Sequence, residues 1–162
     1  MKDGQEAKWI DAVSLVTLEE RGRKVVKLDG KQVVLFRTAD GVKACNNRCP
    51  HEGYPLVEGD LGGGNGCTLT CNWHNWKFDL ESGETLVGGD KLRRYPARID
   101  GGRVLVDIAD PPAAETIAAA LDNLVDGFDR HEYDRMAREI ARLEKAGGDP
   151  MAALRKIGRA HV

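Results

Sequence analysis

Short apolar runs separated by turn-forming residues fill the first two thirds of the chain. Residues 24–28 and 31–37 are rich in valine and meet at Asp29-Gly30, a pair typical of a tight hairpin turn. The other runs that predict strands lie at residues 42–45, 68–71, 77–80, 95–100 and 103–108. Many short strands with a turn signal roughly every eight to twelve residues predict a mainly β fold, an antiparallel β sandwich.

The pattern changes to helical spacing after Asp110-Pro111-Pro112. Apolar residues then recur at intervals of three or four, which predicts amphipathic helices. The three apolar stripes are Ile117, Leu121, Leu124 and Phe128, then Tyr133, Met136, Ala137, Ile140 and Leu143, then Met151, Leu154 and Ile157. We expect a β domain at residues 1–110 and a C-terminal α-helical extension at residues 111–162. The stripes could cover the β domain, a second copy of the chain, or further polypeptide.

The helix boundaries are also predicted from the residues that favour them. Asp129, three residues before Glu132, is expected to cap the second helix. Gly147-Gly148 is expected to end that helix. Asp149-Pro150 is expected to start the third, with aspartate as the N-cap and proline at the first helical position.

Length and charge exclude several classes of function. A chain of 162 residues fits one ordinary domain, or a domain of about 110 residues with an appendage. The formal net charge is −2 and lysine and arginine form no run, so we expect no binding to nucleic acid or to an anionic membrane. No stretch approaches the length of a membrane span, and residues 1–6 are polar. The expected location is therefore the cytoplasm.

Two short motifs carry the candidate chemistry. Cys49 and His51 lie in C-P-H, and Cys71 and His74 lie in C-N-W-H. Closely spaced cysteine and histidine pairs are typical of metal ligands. A zinc finger places its two cysteines in one pair and its two histidines in the other, whereas each pair here is mixed. Mixed pairs favour a two-iron site, in which one iron takes both thiolates and the other takes both imidazoles. A structural zinc module remains the alternative.

The residues around these motifs resemble the two cluster loops of the Rieske [2Fe–2S] family. The segments are C-P-H-E-G-Y-P-L, which starts at Cys49, and C-N-W-H-N-W-K-F-D-L-E-S-G-E, which starts at Cys71. The resemblance extends from about residue 7 to about residue 108. It implies a Rieske-type sandwich with a small cluster-binding subdomain and one [2Fe–2S] cluster. Cys49 and Cys71 would hold the inner iron, and His51 and His74 the outer one.

The resemblance also implies a function. A cluster held by four protein ligands has no open coordination position, so it passes one electron and does not transform a substrate. We expect a ferredoxin component or an electron-input domain of an oxygenase or oxidoreductase system, without catalysis by the chain alone. Its partners would be a reductase and a terminal oxygenase or reductase.

Several positions depart from the pattern of relatives. High-potential Rieske proteins carry serine and tyrosine hydroxyl donors where this chain has Trp76 and Phe78, which predicts a potential of roughly −150 to −50 mV. Asn72 and Asn75 stand where proline and glycine are common, and Asn75 can keep the left-handed turn. The third loop is Gly88-Gly89-Asp90 in place of Gly-Pro-Ala, which predicts a more exposed cluster.

The two remaining cysteines, Cys45 and Cys67, are expected to be small buried residues of the strands before the loops. A disulfide between them, or a site with four cysteine ligands, is the alternative. Respiratory relatives carry a loop disulfide at the positions of Tyr54 and Trp73. The chain therefore resembles the disulfide-free, ferredoxin-type branch, and a reducing compartment is expected.

A complete Rieske oxygenase would need a further iron site of two histidines and a carboxylate. The histidines left for it are His131 and His161, both in the helical extension and both expected to face solvent. The sequence therefore disfavours a complete oxygenase. An N-terminal fragment of a larger Rieske-containing oxidoreductase remains an alternative.

Overall fold

A computed structural model describes residues 6–160 of the protein. The chain divides into two compact units, here called the β unit (residues 6–109) and the helical unit (residues 110–160). The strands of the β unit are β1 Trp9–Ser14, β2 Arg23–Leu28, β3 Lys31–Thr38, β4 Gly41–Asn46, β5 Asp60–Gly62, β6 Thr68–Thr70, β7 Lys77–Asp79, β8 Thr85–Val87, β9 Arg94–Tyr95, β10 Ala97–Asp100 and β11 Arg103–Asp107. A short helix α1, Leu15–Arg21, follows β1, and a single 3-10 turn, Leu56–Glu58, lies before β5.

The strands form three sheets with the orders β1-β11-β10, β2-β3-β4-β9 and β5-β6-β7-β8. Every strand pair is antiparallel. The mainly β, antiparallel fold predicted from the sequence is therefore confirmed. The first two sheets make the scaffold, and the third sheet, of short strands, carries the candidate metal site.

The β2–β3 hairpin follows the local sequence signal. Asp29 and Gly30 both have positive φ angles, 49° and 80°, and Leu28 pairs with Lys31 across the turn. This is the primed geometry that matches the twist of the two strands. The turn chemistry of two residues thus sets the register of the pair.

Strand β3 separates two hydrophobic cores. Val33 and Leu35 face a core built from the first two sheets and α1, while Val34 and Phe36 face a core that contains the cysteines. All four side chains are fully buried. Burial on both faces explains why this strand is a continuous apolar run without alternation.

Some elements were not predicted from the sequence. Strands β1, β5 and β8 and helix α1 have no clear apolar period. Helix α1 is defined by its caps, because the Ser14 hydroxyl accepts a hydrogen bond from the Thr17 amide (3.2 Å) and Gly22 ends it at φ 74°.

The single strand predicted at residues 95–100 is wrong. Pro96 interrupts it because proline cannot donate to a ladder, so β9 pairs with β4 and β10 with β11.

The helical unit contains α2 Ala113–Asp129, α3 Tyr133–Lys145 and α4 Pro150–Ala160. The three helices share a small core of Ala120, Leu124, Leu143 and Ile157. Some members of the predicted stripes are exposed: Phe128, Tyr133, Ala137, Met151 and Leu154. Arg135 and Glu139 are buried on α3 in their place. The apolar period therefore located the helices but misplaced the buried face of α3. None of the helices in the described part of the chain is both long and apolar enough to cross a membrane.

The helix ends agree with the prediction at the end of α3, just before Gly147-Gly148, and at the start of α4, and they differ at the start of α3. Asp149 caps α4 as predicted, because its carboxylate accepts a hydrogen bond from the Met151 amide at 2.9 Å. Asp129 does not cap α3, since it is the last residue of α2 and the N-cap of α3 is Glu132. The intervening turn is closed by the Glu132 amide, which donates to the Gly127 carbonyl at 2.8 Å.

Candidate metal centre

The first loop, residues 47–59, leaves β4 and carries Cys49 and His51. The buried side chain of Asn47 accepts a hydrogen bond from the Val57 amide (2.9 Å). The Arg23 guanidinium donates to the carbonyls of Val57 (2.8 Å) and Gly59 (2.6 Å). These bonds attach the far end of the loop to the scaffold sheet.

The second loop, residues 71–76, joins β6 to β7 and carries Cys71 and His74. The Asn75 amide donates to the Cys71 carbonyl (3.0 Å), and the Cys71 amide donates to the Trp76 carbonyl (2.8 Å). Asn75 has φ 58°, so it adopts the left-handed conformation that the sequence indicated. The Asn72 side-chain amide donates to the Glu58 carbonyl (2.8 Å), which ties the second loop to the first.

The four predicted ligand residues come together at one end of the β unit as two pairs. Cys49 and Cys71 are buried in one core and interact with each other. Burial, with a smaller contribution from Cys71, raises the pKa of the Cys49 thiol to about 12. The rings of His51 and His74 lie 4.6 Å apart, at an interplanar angle of 84°. His51 is half-buried and His74 is exposed, so the histidine pair forms the solvent side of the site.

The donor set fits two metal ions better than one. At this end, the side chains whose ligand atoms all lie within 4.8 Å of one another are His51, Glu52 and His74, and this group contains neither cysteine. A single tetrahedral zinc ion would hold two sulfurs at about 2.3 Å and two nitrogens at about 2.0 Å, all close together. Separate sulfur and nitrogen pairs instead match a two-iron cluster. The Nδ1 atom of His51 is buried and has no hydrogen-bond partner among the described residues, so its lone pair is free for a metal.

Two tryptophans of the second loop cover the histidines. Trp76 stacks on His51 with ring centroids 4.6 Å apart and planes 18° apart. Trp73 stacks on His74 at 4.9 Å and 28°, and it also contacts Tyr54 of the first loop at 5.8 Å. Tyr54 and Trp73 are the positions at which respiratory relatives carry a disulfide, and here an aromatic contact joins them.

The third loop, residues 88–90, packs on the second. Gly88 has φ 131°, and a Cβ added there would lie 2.4 Å from the indole of Trp76. Asp90 is buried, and the Thr85 hydroxyl donates to the Asp90 carbonyl (2.5 Å). This loop therefore packs closely on Trp76, and the greater exposure of the cluster stays a prediction.

Glu52 and the stacking role of Trp76 were missed by sequence reasoning. The Glu52 carboxylate lies beside both imidazoles, and the signal for it was its position next to His51. Trp76 and Phe78 both lack the hydroxyl that high-potential relatives carry, and Phe78 is fully buried in the core. No feature of the sequence indicated which ring Trp76 contacts.

The other cysteines share the core of Cys49 and Cys71 but are not among the ligand atoms grouped around His51 and His74. Cys45 and Cys67 are buried in the core and carry free thiols, as expected for small structural residues. Burial raises the pKa of Cys45. His131 lies in the turn between α2 and α3 and is exposed, as predicted, whereas His161 lies outside the described residues.

Comparison with known proteins agrees with this geometry. Residues 8–95 match the model of the Rieske [2Fe–2S] domain. The ferredoxin component of the naphthalene 1,2-dioxygenase system of Pseudomonas aeruginosa is 31% identical over 104 residues, which cover 63% of this chain and 97% of that protein. The 4beta-methylsterol monooxygenase of Methylococcus capsulatus is 34% identical over 110 residues, which cover 60% of this chain and only 29% of that protein.

A solved structure shows the same similarity in three dimensions. The ferredoxin of carbazole 1,9a-dioxygenase from Nocardioides aromaticivorans IC177 superimposes with a TM-score of 0.56 at 25% identity, over 62% of this chain and 97% of that one. The superposition covers a whole ferredoxin. The chain therefore belongs to the Rieske [2Fe–2S] domain family, binds one [2Fe–2S] cluster and transfers single electrons through it.

Proposed function

We propose that Cys49 and Cys71 hold one iron of the cluster and that His51 and His74 hold the other. The separation of the sulfur pair from the nitrogen pair supports this assignment. The unpartnered, buried Nδ1 atom of His51 supports it as well, because a buried polar atom without a partner is costly unless it binds something.

We infer that the chain is a one-electron carrier of an oxygenase system, either as a ferredoxin component or as an electron-input domain. The Pseudomonas aeruginosa ferredoxin component supports the first form, since the match covers 97% of it. The Methylococcus capsulatus monooxygenase supports the second, since the match covers only 29% of it. The cluster supplies a single redox step without an open coordination position. A reductase would reduce the protein, and a terminal oxygenase or reductase would receive the electron.

The residues of the site have distinct tasks in this role. Cys49 and Cys71 keep the inner iron within the apolar core, away from water. His74 is exposed and offers an edge to a redox partner. Neutral imidazoles remove negative charge relative to thiolates, which raises the potential, while Trp76 and Phe78 provide no hydroxyl that would raise it further. We expect a midpoint potential of roughly −150 to −50 mV.

We assign the redox function to the β unit and propose that the helices serve self-association or docking. All four proposed ligands and all strands of the described chain precede residue 110. Truncation after Asp110 should leave the cluster spectrum and potential unchanged and alter only solubility or oligomeric state. Loss of the cluster on truncation would contradict this division. None of the four cysteines, all of which lie in the described part of the chain, forms a disulfide, which suits a reducing compartment such as the cytoplasm.

Four measurements on protein purified without oxygen test the function. It should contain about two irons and two sulfides per chain and take up one electron in a reductive titration. The reduced form should give an EPR signal with an average g value below 2 and should reduce an oxidised Rieske oxygenase. A colourless protein with one zinc ion would refute the cluster. If neither a reductase nor an oxygenase component exchanges electrons with the cluster, the carrier role is refuted.

A further inference from the structure

The contact between Trp76 and His51 joins two different loops. Trp76 ends the second loop, and His51 belongs to the first. Their rings are nearly parallel, with centroids 4.6 Å apart. His74 meets His51 edge-on, at 84°, so it does not occupy the face that the indole covers. One face of the His51 ring is therefore covered by a side chain from the opposite loop.

The indole itself has little freedom to move. The backbone of Gly88 lies so close that an added Cβ would approach two atoms of the Trp76 indole, Cδ2 and Cε3, to 2.4 and 2.5 Å. Phe78 lies on another side, with ring centroids 6.3 Å apart. Trp76 is partly buried against the core that holds the cysteines. The third loop and the core therefore fix the plane in which the indole presents its face to His51.

A metal-bound histidine is usually oriented through its other ring nitrogen, whose N–H donates a hydrogen bond to a surrounding group. In His51 the Nδ1 atom is the proposed iron ligand, since it is buried and has no hydrogen-bond partner among the described residues. Stacking on Trp76 is a further contact that constrains the plane of the ring. The same contact keeps water from that face of the imidazole.

We propose that Trp76 is a positioning residue, which holds the His51 imidazole in the plane required for iron binding and lowers the reduction potential of the cluster. This proposal rests on the assignment of His51 as a ligand. With two ferric ions, two sulfides and two thiolates the oxidised cluster is neutral, and the reduced cluster carries one negative charge. The negative face of the indole and the exclusion of water both disfavour that added charge.

The test compares Trp76→Leu, which removes the stacking, with Trp76→Phe, which keeps an aromatic ring in place. Trp9→Leu is the matched control, because Trp9 lies on β1 and contacts Arg98 far from the site. Midpoint potentials and the nitrogen couplings of the two histidines are measured on the full chain. We expect Trp76→Leu to raise the potential and to alter one of the two nitrogen couplings. The potential and couplings of Trp76→Phe should lie close to the wild-type values, and those of Trp9→Leu should be unchanged.

Gly88→Ala tests the third loop. A methyl group there should displace the indole, so this variant should shift the potential in the same direction as Trp76→Leu. The double variant of Trp76→Leu and Gly88→Ala should shift the potential by no more than the larger of the two single shifts, because the effects of residues that act through one contact are not additive. Additive shifts would show that Gly88 acts independently of Trp76 and would remove the third loop from the proposal.

The outcomes separate positioning from packing. A Trp76→Leu protein with full iron content, a wild-type potential and wild-type nitrogen couplings would overturn the proposal. If Trp76→Leu loses iron while its apoprotein melts at the wild-type temperature, and Trp76→Phe keeps the cluster, the result supports a positioning role. If both variants lose iron and their apoproteins unfold, Trp76 is only a packing residue. A wild-type protein without iron would refute the His51 assignment itself, and the proposal with it.

Discussion

Buried polar groups have different kinds of partner in the two units of this protein. In the β unit, the buried thiols of Cys49 and Cys71 and the Nδ1 atom of His51 converge on a place where a metal cluster fits. In the helical unit, the buried guanidinium of Arg135 meets carboxylates of its own unit, Asp126 at 2.5 Å and Glu132 at 3.0 Å. The comparison teaches that a buried polar side chain points to a ligand site where its neighbours are other metal-binding donors, and not where its neighbours carry the opposite charge.

The largest expected effect is the loss of the cluster when a proposed ligand is removed. Cys71→Ala should abolish bound iron, because one iron would retain a single thiolate. Cys67→Ala is the matched control, since Cys67 is equally buried, precedes Cys71 by four residues and should retain iron. Iron and sulfide analysis with the visible spectrum decides between them. A Cys71→Ala protein that keeps a full cluster would show that the sulfur pair is not the ligand pair.

The next effect concerns the buried ion pairs of the helical unit. Arg135→Ala leaves the Asp126 and Glu132 carboxylates without their shared partner and should cost about 2–4 kcal/mol, near the lower end for a buried pair because both carboxylates are partly exposed. The cluster spectrum and potential should not change. Arg155→Ala, at a pair with Asp149 that is exposed on both sides in the same unit, should cost less than about 1 kcal/mol. Thermal and urea unfolding measure the loss of stability of each variant, and its visible spectrum measures the cluster content. Loss of the cluster in Arg135→Ala would contradict the contrast between the two units.

Replacing the two structural cysteines should have a smaller effect. The double variant Cys45→Ala and Cys67→Ala should keep the cluster and lose about 1–2 kcal/mol of packing free energy. The free energy of unfolding and the iron content are measured together, and His74→Ala is prepared in parallel. Should the double variant lose its iron while His74→Ala retains it, a site with four cysteine ligands would replace the proposed one.

A still smaller change is expected from the carboxylate beside the histidines. Glu52 is exposed and lies within 4.8 Å of ligand atoms of His51 and His74. Its negative charge disfavours reduction, so Glu52→Gln should raise the potential by about 20–40 mV, which corresponds to ~0.5–1 kcal/mol at an exposed site. The shift should shrink in high salt. An equal shift in Glu58→Gln would mean that the effect is not specific to the histidine pair.

The smallest effect is the pH dependence of the helical unit. Burial raises the pKa of Asp126, but the nearby Arg135 and Arg130 outweigh it, and the net pKa lies below the usual value of 3.8. A lowered pKa means that the stabilisation is present above the unfolded pKa and is lost as the pH falls through the folded one. The helical unit should therefore weaken slightly below about pH 4, and Asp126→Asn should abolish that dependence. Helical circular dichroism followed against pH provides the measurement, and an unaltered pH dependence in Asp126→Asn would contradict this origin.

Local signals predicted the parts of the fold that depend on neighbouring residues. Asp29-Gly30 located the β2–β3 hairpin because a primed turn needs two residues with positive φ angles. Asp149 predicted the start of α4 because an N-cap carboxylate accepts hydrogen bonds from amides two or three residues further along the chain. The change of partner at Pro96 was missed because pairing with β4 or β11 depends on strands distant in the sequence. Asp129 does not cap α3 because α2 extends through it.

The sequence by itself singled out the proposed donor set, since metal ligands must come from a few residue types at short, fixed spacings, and the pairs at Cys49-His51 and Cys71-His74 satisfy that requirement without reference to the fold. The tertiary structure decided that the sulfur pair lies in the core and the nitrogen pair on the solvent side. It also decided that Trp76 covers His51 and that Arg135 is buried. These contacts join residues from different loops or helices, and their distances depend on how the elements pack and not on the spacing of residues along the chain.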